Sequence, residues 1–367
     1  MTTDLLVSRL CHLYGLGHAV LTGRARAGLL ALGEVLGLAG RPAVIPSNLC
    51  PVVPVALHAA GLRLRLAPVS PCSGLADDDR LVRAMAAGSP PGLVMPSHLY
   101  GQHAAYPLTC AEAARGGWFV LENDTLLAAR ARGGCRPAFG AAVLTSFGHA
   151  KTAPAGGGGA VLTDDAALAA ELRRVLAGWP VLGAAAAAVE QHTMALRRHL
   201  RQLGCAGLAE GLMAVEQAQL RHAFPPALAP AVLAALDGVE ARLERRAAVA
   251  TAWADALAPF RHQLRTPRVA VTAPWRLIRS VPQPGLRDRL VARLRAQGFD
   301  AGTNFPALTE AFPHLLAGQG HADADAWSAT VLNLWLDEAV TPARLQAAVD
   351  CIAEVLDSTP ARADEAA

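Results

Sequence analysis

The chain has 367 residues, of which 53% are hydrophobic and 17% charged, with a formal net charge of +3. That length fits a large domain with a smaller one, and arginines spread beside acidic residues speak against a nucleic-acid-binding surface. Seven singly placed cysteines without a Cys-x-x-Cys pair argue against a zinc cluster or disulfide framework, and no apolar run approaches the ~18 residues of a membrane helix.

The opening Met1-Thr2-Thr3-Asp4 lacks the basic and apolar blocks of a signal peptide, so a soluble cytoplasmic protein is expected. Residues up to Leu21 read as a short segment packed on the body. Thr22-Gly23-Arg24-Ala25 then opens a helix to about Leu36, in which Leu29, Leu32 and Leu36 recur at helical spacing. A glycine turn feeding a helix start presents backbone N–H groups that suit a phosphate. Residues 43–46 read as a buried strand ending in Ser47-Asn48-Leu49-Cys50-Pro51, and residues 52–60 as an apolar helix. Residues 62–66 alternate with period two, as a strand does.

Helix and strand keep exchanging after that: helix at 79–87 and 109–114, strand at 92–96, 118–122, 141–145 and 160–163. This alternation implies an α/β fold with a mostly parallel sheet covered by helices, and such sheets gather ligands at the carboxyl ends of their strands. Residues 164–201 read as helix broken at Pro180, followed by helix at 215–224 and 231–254. A second unit holds strands at 268–272, 276–280 and 329–335, a helix at 286–297 and a last helix at 342–355; the tail beyond Asp357 is expected to fray.

Polar residues accumulate at the predicted strand ends: Asn48, then His98 and Tyr100, then Glu122, Asn123 and Asp124, then Ser146. Five residues after Ser146 comes Lys151, the one lysine of the chain, ahead of the four glycines Gly156 to Gly159. Arginine is never usefully deprotonated, whereas a lysine amine can lose its proton and form a Schiff base with a carbonyl. An isolated lysine is ordinarily a surface residue, so the argument rests on the neighbours and not on the rarity.

These stretches resemble the DegT/DnrJ/StrS family of pyridoxal-phosphate sugar aminotransferases, which have the fold type I architecture. The resemblance runs from the Gly23 turn through IPSNLC and MPSHLYGQ to SFGHAKTAPAGGGGAVLTDD and the closing LNLWLDEAVTPARLQAAVDCIAEVL. It implies a large PLP-binding domain with a seven-stranded sheet over residues 1–235 and a small C-terminal α+β domain over 236–367. Lys151 matches the lysine that holds the cofactor as an internal aldimine, Ser146 the serine that binds its phosphate, and Gly23, Arg24 and Ala25 the loop that cradles it. The resemblance further implies a homodimer with active sites near the interface and small-molecule partners, a keto substrate and an amino donor.

The chain departs from the family at several of these positions. Where the family has an acidic residue beside the pyridine nitrogen this chain has Asn123, and a strand turns Asn123 and Asp124 to opposite faces. Either Asp124 reaches the ring through a local irregularity or Asn123 is the partner, in which case the ring is a weaker electron sink. No stacking aromatic stands near Cys50, which leaves Cys50, His98 or Tyr100 to cover the ring; His98 reads equally well as a structural histidine. His149 either orients substrate or packs under the loop, and Asn48, Tyr100 and Asn304 are the remaining substrate-side residues. The Asn-aromatic-Arg stretch of the second subunit has no counterpart around residues 205–212. The expected function is amino transfer to a small keto substrate or keto-sugar in a biosynthetic pathway. The alternatives are elimination, decarboxylation or condensation with the same cofactor, or a non-catalytic PLP-binding regulator or scaffold.

Overall fold

The computed structural model describes residues 2–86, 90–102, 104–127, 140–267, 271, 273–337 and 339–358. Helix α1 (Thr2–Tyr14) leads into strand β1 (His18–Thr22) and helix α2 (Ala25–Val35). There follow β2 (Pro42–Pro46), α3 (Val52–Ala59), β3 (Arg63–Ala67), α4 (Asp78–Met85), β4 (Leu93–Val94), α5 (Pro107–Gly116), β5 (Phe119–Asn123), β6 (Ala142–Ser146) and β7 (Gly159–Thr163). The seven strands form one sheet in the order β1-β7-β6-β5-β4-β2-β3. β7 runs antiparallel to both its neighbours, and the remaining pairings are parallel.

This is the α/β architecture expected, and the residues explain it. β2, β6 and β7 are buried along their whole length, as strands covered by helices on both faces must be, and they read as nearly unbroken apolar runs. The first stretch of the chain needs correction: it is a helix and an edge strand. His-Ala-Val-Leu-Thr becomes a strand by pairing with β7, a partner more than a hundred residues away that local pattern does not reveal.

Beyond β7 come α6 (Ala166–Ala177), α7 (Ala184–Gln202), α8 (Ala206–Gly211) and α9 (Met213–Ala218), then α10 (Ala229–Asp237) and α11 (Val239–Ala256). The predicted helix at 215–224 ends at Ala218. Asp165 caps α6, accepting from the N–H groups of Ala167 and Leu168 at 2.9 and 3.0 Å.

The last part holds β8 (Leu277–Ser280), α12 (Leu286–Ala296), β9 (Ala301–Gly302), α13 (Leu308–Ala311), α14 (Ala322–Thr330), β10 (Val331–Leu334) and α15 (Pro342–Asp357). β8, β10 and β9 form an antiparallel sheet in that order. One face packs on α12 and α15 through a core that includes Trp253, Leu290, Leu294, Trp335 and Ile352. Residues 329 and 330 belong to α14 instead of the predicted strand; of the strand predicted at 268–272, all but Val271 lies outside the described residues, as do residues 359–367 of the tail. Trp275 ties this part to the first: its ring stacks on Phe305 at 5.7 Å, and its Nε1 donates to the Ala150 carbonyl at 2.7 Å, one residue before Lys151. Among the described residues no helix is long and apolar enough to cross a membrane.

Candidate active site

The strand register sorts the polar residues at the carboxyl edge into two faces. Asn123 of β5 pairs with Leu144 of β6, so Asn123, Leu144 and, two residues on, Ser146 point the same way. Ser97, bridged to Asn123, joins them. This is the face that α2 covers, since a Cβ at Gly28 would meet the Leu144 and Val161 side chains at 3.3 and 3.0 Å.

Asp124 lies on the other face. Its Oδ2 accepts from the Tyr14 hydroxyl at 3.1 Å, and that hydroxyl is 3.2 Å from Thr145 Oγ1, on the side of β6 opposite Ser146. Burial, and after it the Asp124 charge, push the Tyr14 phenol well above its ordinary pKa, so it stays a donor. The structure thus gives Asp124 a neutral, buried donor on the side of the sheet away from Ser146. Asn123 keeps the Ser146 side. Its Nδ2 donates to Ser97 Oγ at 3.2 Å, and its Oδ1 is buried without a hydrogen-bond partner.

Lys151 is half-buried in the turn after β6, where its N–H bonds the Gly148 carbonyl at 3.1 Å. Burial lowers the pKa of its amine, and Nζ donates to Thr125 Oγ1 at 3.1 Å. Thr125 is a neighbour that sequence reasoning missed. Its only signal was its place just past the polar end of β5. The loop is anchored at Thr152, whose hydroxyl donates to the Leu126 carbonyl at 2.6 Å and whose own carbonyl accepts from Arg242 at 3.3 Å.

The phosphate loop is built differently from the expectation. Gly23 has no room for a side chain, because a Cβ there would lie 2.7 Å from the His222 carbonyl oxygen, and its N–H already donates to that oxygen at 3.1 Å. Arg24, the residue before α2, turns its Nε to Glu190 Oε2 at 2.9 Å and its Nη1 to the Gly156 carbonyl at 3.2 Å. A second arginine, the buried Arg26, pairs with the other oxygen of Glu190. Neither arginine is therefore an uncommitted phosphate clamp, which leaves Ser146 and the α2 start at Ala25 as the donor set for a phosphate.

Two of the four glycines, Gly157 and Gly159, owe their identity to this packing. A Cβ at Gly157 would strike Arg24 Nη1 at 1.9 Å, and one at Gly159 would lie 2.5 Å from the Ala25 nitrogen. Gly159→Ala is accordingly expected to cost about 1–3 kcal/mol, because the atom in the way is backbone and cannot rotate aside. A urea-unfolding midpoint within error of wild type would show that the α2 start gives way instead.

The remaining residues expected at the cofactor ring or substrate are placed as follows. His98 is fully buried, with Nε2 against Glu122 Oε1 and Nδ1 accepting from the Ala104 N–H at 3.3 Å, the arrangement of a structural histidine. Tyr100, expected on the substrate side, is instead sealed in the core between Phe305 and Trp327. Its hydroxyl oxygen accepts from the Phe305 N–H at 3.1 Å and Trp327 Nε1 at 2.8 Å. Asn48 is buried and donates to the Gly74 carbonyl at 2.8 Å. His149 is exposed on the outside of the lysine turn, 3.4 Å from Gln191, and Asn304 is exposed beside Asn333. Cys50 is half-buried between β2 and α3.

A fit for pyridoxal phosphate follows from this donor set: an amine of lowered pKa, a hydroxyl beside a helix start, and an orphaned amide oxygen gathered at one strand edge. Residues 2–353 match the model of the DegT/DnrJ/EryC1/StrS aminotransferase family. No curated protein matches the chain. Among solved structures, a DegT DnrJ EryC1 StrS aminotransferase from Brucella abortus is 20% identical, with 96% of this chain and 90% of that one covered and a TM-score of 0.73. DesI, solved in the presence of its TDP-sugar product, is 23% identical over 96% and 83%, with a TM-score of 0.75. Helicobacter pylori PseC, an aminotransferase involved in the biosynthesis of pseudoaminic acid, is 12% identical over 98% and 92%, with a TM-score of 0.74. The chain belongs to the DegT/DnrJ/EryC1/StrS aminotransferase family, and its cofactor is pyridoxal 5′-phosphate.

Proposed function

We propose that this aminotransferase acts on a small keto substrate or keto-sugar in a biosynthetic pathway, with Lys151 as the residue that holds the cofactor and carries the proton. The observation that carries the reading is the placement of the half-buried Lys151 amine, of lowered pKa, at the strand edge shared by Ser146 and the orphaned Asn123 Oδ1. When bound, pyridoxal phosphate supplies an electron-accepting ring that stabilises negative charge on a substrate carbon.

The protein's own part follows from its residues. Desolvation lowers the pKa of the Lys151 amine and so favours its neutral form, and Thr125 Oγ1 holds the Nζ in place. Ser146 and the α2 start bind the phosphate. Asn123 is the residue that would meet the ring nitrogen. An amide holds a proton there less firmly than a carboxylate does, so the sink is weaker than where the position is acidic. That weakness favours, as a second reading, a reaction that asks less of the ring, elimination among them.

Support for a sugar substrate comes from structural neighbours such as DesI, which was solved in the presence of its TDP-sugar product. A homodimer is part of the reading and is supported by exposed apolar side chains on α7 and α8 and the turn between them, among them Leu196, Leu203 and Leu208. Incubating the yellow, cofactor-loaded protein with glutamate tests the reaction class. An aminotransferase loses the yellow absorbance as the amino group is handed over; persistence with every common amino donor would point to the second reading.

A further inference from the structure

The amide of Asn123 is held by a neighbour that fixes which of its two ends meets the site. The Asn123 N–H donates to the Pro96 carbonyl at 2.8 Å and the Asn123 carbonyl accepts from the His98 N–H at 3.1 Å, so the peptide units on both sides of Ser97 are tied to Asn123. This parallel bridge sets the two residues side by side and turns both side chains to the Ser146 face. They are 2% and 5% exposed. The carboxylates flanking Asn123 lie on the opposite face, Glu122 against His98 and Asp124 against Tyr14. Neither flanking carboxylate therefore reaches the Ser146 side.

An amide has a donor end and an acceptor end of nearly the same shape, and its partners decide its orientation. The Ser97 hydroxyl donates to the Met95 carbonyl at 3.2 Å, an oxygen that can only accept. With its one proton committed there, Ser97 Oγ offers Asn123 a lone pair, which matches the Nδ2 end at 3.2 Å and not the Oδ1 end. Oδ1 is the end left over, buried and without a partner among the described residues. A buried orphan acceptor is relieved only by a group that brings a proton. The nitrogen of a pyridine ring does so only when protonated. A reversed amide would instead donate to the bare nitrogen, and the ring would draw electrons more weakly.

We infer that Ser97 is a positioning residue, which holds the Asn123 amide with Oδ1 toward the site and so selects bound cofactor whose ring nitrogen carries a proton. The inference rests on the reading that Asn123 meets the ring nitrogen and goes beyond it, because that reading leaves the orientation of the amide unassigned. Ser97 acts through Asn123 alone.

The test is an NMR spectrum of the full chain loaded with pyridoxal phosphate isotopically labelled at the ring nitrogen, whose resonance separates the protonated from the bare form, followed over pH. Wild type should show a protonated nitrogen at neutral pH. Ser97→Ala frees the amide to reverse, and the ring-nitrogen pKa should fall by about one pH unit, which is about a tenfold drop in the ratio of protonated to bare nitrogen. Ser97→Cys, whose thiol is a weak acceptor for Nδ2, should lower it in the same direction and serves if the alanine variant does not fold. In an Asn123→Asp background both carboxylate oxygens accept, orientation ceases to matter, and Ser97→Ala should leave the nitrogen protonated. A bare nitrogen in wild type, an unchanged pKa in the Ser97 variants, or an equal fall in both backgrounds each overturns the proposal. The failures are distinguishable: if Asn123→Asp raises the ring-nitrogen pKa and the Ser97 variants do not move it, only Ser97 is misassigned, whereas if none of them moves it, Asn123 does not meet the ring.

Discussion

Lys151→Ala is expected to leave a folded protein that retains no cofactor after borohydride reduction and whose amino-transfer rate falls by at least about 10²–10⁴-fold. Two losses combine in that figure, the attachment point and the amine that carries the proton, and no neighbour replaces either. Thr125 accepts from Nζ and has no basic group of its own, and Arg24 and Arg26 are committed to Glu190. Intact-mass measurement of the reduced protein reads the first loss and a coupled assay the second. A reduced cofactor adduct persisting in the variant would place the attachment elsewhere.

The same residue sets a pH dependence whose sign is fixed by its lowered pKa. Below the folded-state value the buried amine is charged and the desolvation cost is borne in full. As pH rises through that value towards the ordinary 10.5, the folded form loses its proton first and the cost disappears. Lys151→Met should therefore be more stable than wild type at neutral pH when both are free of cofactor, with the difference shrinking as pH approaches 10.5. A difference that grows with pH would mean that the amine is stabilised in its charged form.

How much of this was legible in the chain depends on the range of the interaction. Lys151, Ser146 and the helix start at Ala25 stand out as candidates because each belongs to a local pattern, a strand, a five-residue turn and a glycine-led helix. Period-two alternation also separated Asn123 from Asp124. That Asp124 meets a donor on the face away from Ser146 depends on Tyr14, 110 residues from it in sequence, and nothing near Asp124 announces it. Arg24 looked like a phosphate ligand for the same reason: its actual partner, Glu190, lies 166 residues away on a helix whose local pattern says only that it is helical. His98 reads two ways in the sequence, and its contact with Glu122 on the sheet edge gives it the bonding expected of a structural histidine.

Glu190 is consequently the residue whose loss should cost the most stability. Its carboxylate is 4% exposed and serves two guanidiniums, Arg24 Nε at 2.9 Å and Arg26. Burial already pushes Arg26 down to about 10. Glu190→Gln preserves shape and one acceptor but takes the paired carboxylate from the buried Arg26 and the half-buried Arg24, with only the more distant Glu216 still acting on the Arg26 charge. Breaking a buried pair in this way costs about 3–5 kcal/mol, a large part of the ~5–15 kcal/mol that holds a typical domain together. Burial also shields the pair from salt, so the loss in urea-unfolding free energy should change little between low and high ionic strength. The double variant Glu190→Met/Arg26→Met separates the charge from the packing. Removing both partners deletes the stranded Arg26 charge, so the double variant should be more stable than the sum of the singles predicts by at least about 1 kcal/mol. Additive losses would instead show that Glu190 acts through its fit against α2. In that case the first turn of α2, on which the phosphate reading depends, is held by shape and not by charge.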